Sequence, residues 1–99
     1  GATVPGIPVT DTIKRVGKCG EVQETICRSQ HISIQTPQFF RFDTLKLAHE
    51  KVDFDAPDDA SMIERIGVKV TVFKGDPDNI KVTRLSDLDV VESILISRF

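Results

Sequence analysis

Val68-Lys69-Val70-Thr71-Val72-Phe73-Lys74-Gly75-Asp76-Pro77-Asp78-Asn79-Ile80-Lys81-Val82-Thr83 is the stretch that decides the class of fold. Val68, Val70 and Val72 recur every second residue, the period of a strand, and β-branched side chains suit a pleated surface. Gly75-Asp76-Pro77-Asp78 is a turn, because Pro, Asp and Gly each favour turn geometry for their own reasons. Ile80 and Val82 then alternate with Asn79, Lys81 and Thr83, which predicts a further strand. Thr83 is placed to cap a helix through about Ser97, with Leu88, Val91, Ile94 and Leu95 as its buried face.

Upstream, the same grammar repeats. Asp58-Asp59 opens a helix to about Arg65, stopped by Gly67, and acidic residues in a first turn suit the positive end of a helix. Asp43 reads as the N-cap of a helix to about Val52, with Leu45, Ala48 and Val52 on one stripe. Ile32 and Ile34 alternate with Ser33 and Gln35 as a short strand, ended by Thr36-Pro37 because proline drives its predecessor out of helix. The first third is extended: Ile7-Pro8-Val9, then Thr12 to Val16, a turn over 17–20, and a return over 21–28. That is a hairpin arm at about residues 10–30, and a two-stranded arm is marginal in water unless it lies against something. Strands alternating with helices predict an α/β fold. No Gly-rich turn joins a strand to a helix, so the usual phosphate-cradling start of such a sheet is absent from this sequence.

Composition narrows the function. The chain has 99 residues, enough for one small domain or a part of one. Thirteen Lys and Arg face fifteen Asp and Glu, a net charge of −2. That balance argues against non-specific nucleic-acid binding, and six Phe with no Trp or Tyr supply few stacking platforms. The charge is uneven: residues 1–42 carry five bases and three acids, whereas residues 43–59 carry six acids and two bases. No apolar run approaches the ~20 residues of a membrane span. Two cysteines, Cys19 and Cys27, are too few for a disulfide scaffold and fit a reducing, cytoplasmic setting.

Four groups bear on chemistry. His31 and His49 have no ligand-spaced partner, so a metal site made by this chain alone is not expected. The acids Asp53, Asp55, Asp58 and Asp59 lack the spacing of a calcium loop and read as a solvated loop and helix cap. Lys81 stands where a strand feeds a helix, the edge at which open α/β sheets place ligands; it reads either as a phosphate-binding point charge or as a surface lysine. Gln35-Thr36-Pro37-Gln38-Phe39-Phe40 ends a strand at a similar edge, with a hydroxyl and two amides that hold either a polar ligand or a turn.

Taken together, several motifs resemble one family in order and spacing. They are Pro8-Val9-Thr10-Asp11-Thr12-Ile13-Lys14-Arg15, Arg28, Gln35-Thr36-Pro37-Gln38-Phe39-Phe40, Asp58-Asp59-Ala60-Ser61, Gly75-Asp76 and Asn79-Ile80-Lys81-Val82-Thr83. The sequence is similar to the 2-C-methyl-D-erythritol 4-phosphate cytidylyltransferases of the non-mevalonate isoprenoid pathway, across essentially the whole chain but over the family's C-terminal half only. The resemblance implies the C-terminal half of a Rossmann-like nucleotidyltransferase domain with a projecting β-hairpin arm, spanning residues 1–99. It implies cytidylyl transfer, in which the phosphate of methylerythritol phosphate attacks the α-phosphorus of CTP and pyrophosphate leaves.

In that reading Lys81 and Arg28 are the catalytic residues, while Thr36 and Thr12 bind substrate. Lys81 and Thr36 would serve the acceptor, and Arg28 and Thr12 would lie on an arm that completes the site of a partner in a homodimer. Mg2+ is the implied cofactor, held mainly through CTP and by the N-terminal half, whose Gly-rich loop and metal-binding Asp have no counterpart here. The family usually has Thr before Asp58-Asp59 where this chain has Pro57, so that residue's role does not carry over. A near relative is ribitol-5-phosphate cytidylyltransferase; the run Asp11-Thr12-Ile13-Lys14-Arg15 favours the methylerythritol enzyme. The further expectations are an isolated chain without transferase activity, an inactive dimerisation fragment at most, no nucleic-acid or membrane partner, and a location in bacterial cytoplasm or a plastid.

Overall fold

A computed structural model describes residues 2–51 and 55–99. In chain order the elements are β1 (Ala2–Pro8), β2 (Lys14–Val16), β3 (Val22–Thr25), a 3-10 turn (Arg28–Gln30), β4 (Ile32–Ile34), β5 (Phe39–Phe40), α1 (Phe42–Lys51), α2 (Asp59–Arg65), β6 (Val70–Lys74) and α3 (Leu85–Arg98). The fold is mixed α/β, as the alternation of strands and helices predicts.

β1 organises the sheet. It pairs in parallel with β6, from Ala2 opposite Val70 to Gly6 opposite Lys74. On its other edge it pairs antiparallel with β4 through residues 6–8 and with β5 through residues 2–3. A strand flanked on both edges and covered by helices reads as nearly continuous burial rather than alternation. Ala2, Val4, Pro5 and Gly6 are accordingly buried. Ala2, Ala48 of α1 and Ile63 of α2 form the core, with Phe40, Leu45, Met62, Ile66, Val68 and Val70 packed against it.

The helix signals hold for α2. The Asp58 side chain accepts the Ser61 N–H at 2.8 Å as the N-cap. At the other end Val68 N–H returns to the Ile63 carbonyl at 3.3 Å, and Gly67 takes a φ of +84°, which a side chain would resist. α1 begins one residue earlier than its expected cap. Asp43 sits in the first turn and accepts the Thr44 N–H at 2.9 Å, so it stabilises the helix without capping it. Its expected end at Val52, like Asp53 of the acidic run, lies outside the described residues.

The hairpin forms as expected. β2 and β3 make a separate two-stranded sheet, with Lys14 opposite Thr25 and a bulge between Arg15 and Val16. Every residue of both strands is exposed. Polar contacts hold it: Lys14 Nζ donates to Thr25 Oγ1 at 2.9 Å, and Arg15 pairs with Glu24 at 2.8 Å. The radius of gyration is 16.5 Å, against about 13 Å for a compact chain of this length.

Three expectations fail. Residues 79–83 form no strand: with no neighbour to pair with, the alternation of Ile80 and Val82 is insufficient, and Val82 is 50% exposed. The helix cap is not Thr83. Arg84 is the N-cap, and the Asp87 carboxylate accepts the N–H groups of Thr83 and Arg84 at 2.9 and 3.0 Å. The expected buried face of α3 is not buried. Val91 and Ile94 are half-buried, while Leu88 and Leu95 are exposed, because α3 makes at most slight contact with the other described elements. β5, which pins the start of β1, was not legible as a strand at two residues long.

Candidate active site

The chain changes direction twice near one place. After β4 it runs through Gln35, Thr36 and Pro37, where the Thr36-Pro37 peptide is cis, and re-enters the sheet as β5. After β6 it leaves through residues 75–84 toward α3. Between these two loops lies a cavity of about 510 Å³, bordered by Gln35, Thr36, Gln38, Pro57, Asp58, Asn79 and Lys81. The cavity opens beyond the carboxyl end of β6, where α/β sheets place ligands. A second hollow, of about 680 Å³, shares Thr36, Gln38, Pro57 and Asp58 with it and extends toward His49.

Thr36 and Lys81, 45 positions apart in sequence, therefore border one cavity. Lys81 is exposed and has no hydrogen-bond or ion-pair partner among the described residues, so its ammonium is available to an anion. The two amides of the Gln35–Gln38 run hold structure. Gln38 Nε2 donates to Asp58 Oδ2 at 3.0 Å, and Gln38 Oε1 accepts the Ala60 N–H at 3.3 Å. Gln35 grips the loop after β6. The sequence pattern left a ligand and a turn equally open here; the geometry favours the turn for both glutamines.

Asp58 is the one ionisable wall of the cavity with a displaced pKa. Partial burial pushes its carboxyl up, but hydrogen bonds from the Ser61 hydroxyl, the Gln38 amide and the Ser61 N–H outweigh that and leave it below the ordinary carboxylate range. It is thus a charged helix cap at neutral pH. Among the described residues no three His, Cys, Asp or Glu side chains converge to hold a metal ion. Among the described residues, then, the carboxylates form no such cluster for Mg2+.

Arg28 and Thr12 stand elsewhere. Arg28 occupies the 3-10 turn after the arm and donates from Nη1 to the Thr10 carbonyl at 2.6 Å, which ties the arm's return to its start. Both residues are exposed, and neither borders either hollow. The four residues singled out from sequence thus fall into two groups, one on the cavity and one at the base of the arm. Cys19 and Cys27 are free and exposed. The Ser29 hydroxyl and backbone N–H lower the Cys27 pKa. His49 meets Asp59 at 3.2 Å on the rim of the second hollow. The sequence reading placed the amides of Gln35 and Gln38 at this edge with ligand and turn both open, and it named Asn79 only as a polar-face neighbour of Lys81; the structure puts all three on the cavity wall.

Comparison with known proteins shows the family. Residues 1–97 match the family described as 2-C-methyl-D-erythritol 4-phosphate cytidylyltransferase. A protein of that name from Saccharopolyspora erythraea is 44% identical over 94 residues, covering 95% of this chain and 42% of the relative. One from Dictyoglomus thermophilum is 46% identical over 98 residues, with the same coverage. Among solved structures, a 4-diphosphocytidyl-2C-methyl-D-erythritol synthase of Anaerococcus prevotii superposes with a TM-score of 0.85 at 29% identity, over 95% of this chain and 44% of that one. The Thermus thermophilus cytidylyltransferase superposes at 0.80 with 30% identity, over 95% and 47%. The chain spans less than half the length of each of these relatives. It belongs to the 2-C-methyl-D-erythritol 4-phosphate cytidylyltransferase family.

Proposed function

We propose that this chain supplies the acceptor-binding part of a cytidylyltransferase, which joins CTP and 2-C-methyl-D-erythritol 4-phosphate to give 4-diphosphocytidyl-2-C-methyl-D-erythritol and pyrophosphate. The observation that carries the reading is the cavity that Thr36 and the unpaired Lys81 border together. Phosphoryl and nucleotidyl transfers depend on positioning and charge stabilisation more than on a covalent protein nucleophile. Lys81 holds the acceptor phosphate while that phosphate attacks the α-phosphorus of CTP, and the Thr36 hydroxyl orients the same substrate. If Mg2+ is bound through the nucleotide and residues outside this chain, it would supply charge neutralisation at the triphosphate, and Lys81 and Thr36 would keep their roles toward the acceptor.

Arg28 and Thr12 act across a homodimer in this reading, delivered by the arm to the neighbouring site. An arm whose strands bury nothing gains by docking on a second subunit. The setting is the cytoplasm of a bacterium. The relatives support methylerythritol phosphate over ribitol phosphate as the acceptor, since they bear the methylerythritol name.

The test is pyrophosphate release from CTP with each acceptor in turn. The full-length protein containing this chain turns over with methylerythritol phosphate and much more slowly with ribitol 5-phosphate, while the 99-residue chain alone gives none. Equal rates with both acceptors overturn the substrate, and turnover by the purified 99-residue chain overturns the division of labour.

A further inference from the structure

The Gln35 side chain joins the two loops that frame the cavity, and nothing in the catalytic reading uses it. Its Nε2 donates to the carbonyls of Asp76 and Asn79 at 2.8 and 3.0 Å, and its Oε1 accepts the Asp76 N–H at 3.1 Å. Asn79 answers from the other loop, donating from Nδ2 to the Thr36 carbonyl at 2.6 Å. Four hydrogen bonds therefore tie the neighbourhood of Thr36 to the loop that carries Lys81.

That loop depends on them. Residues 79–84 belong to no strand or helix, so no ladder fixes their course. At the far end, the Asp87 carboxylate holds the N–H groups of Thr83 and Arg84. Lys81 sits between two anchors, two residues from Asn79 and two from Thr83. Two residues of chain span at most about 7 Å, so fixing both anchors fixes where the lysine leaves the backbone. Gly75 fits the same device: a Cβ there would collide with Gln35 Oε1 and press on the backbone of Gly6. The outer side of the turn is held by Arg98, whose Nη2 reaches Asp76 Oδ2 and Asp78 Oδ2 at 2.8 and 2.9 Å.

We infer that Gln35, itself on the wall of the cavity, is a positioning residue that sets Lys81 opposite Thr36 and so governs binding of the phosphate-bearing acceptor through them. Both polar atoms of its carboxamide are spent on the loop, which leaves the contact with the acceptor to Lys81 and Thr36. The inference rests on the reading that Lys81 holds the acceptor phosphate.

The experiment is a double-mutant cycle in the full-length protein, with CTP and methylerythritol phosphate varied separately. Gln35→Met keeps the length of the side chain and removes all three of its hydrogen bonds. It should raise KM for the acceptor about tenfold and leave KM for CTP within about twofold. On a Lys81→Ala background the same change should cost less than about twofold, because a misplaced lysine and an absent one are equivalent. Gln35→Glu keeps an acceptor for the Asp76 N–H but sets a carboxylate against two carbonyls. Its activity relative to wild type should rise toward pH 5, as protonation restores a donor. Multiplying losses in the double variant, equal effects on both KM values, or an unaltered Gln35→Met enzyme would overturn the inference. An unaltered Lys81→Ala enzyme would instead overturn the functional reading beneath it. Should Gln35→Met fail to fold, Asn79→Ser removes the single reciprocal bond, and the same pattern of KM and coupling decides.

Discussion

β1 and α3 both carry apolar side chains, and only β1 buries them. Ala2 and Val4 are each 2% exposed, whereas α3 contains no buried residue and its Leu85 and Ile96 stand in solvent. The difference lies in neighbours rather than in composition. β1 has strands on both edges and helices beside it. α3 is capped at its start by its own Asp87 and tied at its finish, through Arg98, to the turn after β6. An apolar stripe is a request for a partner, and in this chain the request made by α3 goes unanswered.

The largest effect should come from the core. Ile63→Ala removes a side chain with no exposed surface, and such deletions cost about 2–5 kcal/mol. Leu88→Ala on α3, where the residue is 53% exposed, should cost under about 1 kcal/mol in the 99-residue chain. Urea unfolding of both variants measures the contrast, and equal losses in this chain would break it. The same pair in the full-length protein sharpens it: a Leu88→Ala cost that rises there toward the Ile63 value shows the stripe of α3 to be covered.

The contrast also marks what the sequence made legible. Where local chemistry decides, as at Asp58, Gly67 and the 17–20 turn, reading and structure agree within a residue or so. Where the outcome depends on what lies alongside, they part. Ile80 and Val82 alternate like strand residues, yet residues 79–83 pair with nothing. Leu88 and Leu95 sit at core spacing without a core. The site shows the same division. Lys81 and Thr36 were individually ambiguous and are joined only by the tertiary fold. The clamp between Gln35 and Asn79 spans more than 40 residues, and no periodicity reveals such a bond.

The next effect falls on the cavity, where an exposed polar side chain can be changed without opening the core. Lys81→Ala leaves no hole, since the residue is exposed. A charged hydrogen bond to phosphate is worth roughly 1.5–3 kcal/mol, so kcat/KM should fall about 10- to 150-fold in the full-length protein, with stability changed by less than about 0.5 kcal/mol. An unchanged kcat/KM would return Lys81 to the role of a solvated surface charge.

The arm extends the comparison to a second exposed region. If Arg28 and Thr12 serve a neighbour's site while Lys81 and Thr36 serve their own, mixed subunits must complement. Arg28→Ala and Lys81→Ala, each nearly inactive in the full-length protein, are combined and allowed to exchange. One site of each mixed dimer then carries both defects and the other carries neither. Random mixing makes about half the dimers mixed, so activity should recover to about a quarter of wild type. No recovery, with exchange verified by mass, would place Arg28 in its own subunit's site or outside any site.

The smallest effect separates the two carboxylates that start helices. Asp58 begins α2, which packs on the core, and Asp87 begins α3, which does not. Hydrogen bonds from the Thr83 and Arg84 N–H groups hold the Asp87 carboxyl below its usual range, as the Ser61 and Gln38 bonds do for Asp58. A carboxyl whose pKa is lower in the folded state stabilises that state above its unfolded pKa of about 3.9, and the contribution is lost as pH falls through the folded value. Asp58→Ala should therefore cost about 1 kcal/mol of global stability at pH 7, the usual worth of an N-cap, and the difference from wild type should shrink below about pH 4. Asp87→Ala should leave the global transition where it was and speed hydrogen exchange in the first turn of α3, because a helix without packing frays locally instead of carrying the fold with it. A shift of the global transition as large as that of Asp58→Ala would mean that α3 is coupled to the core after all, through Arg98 and the Asp76–Asp78 turn.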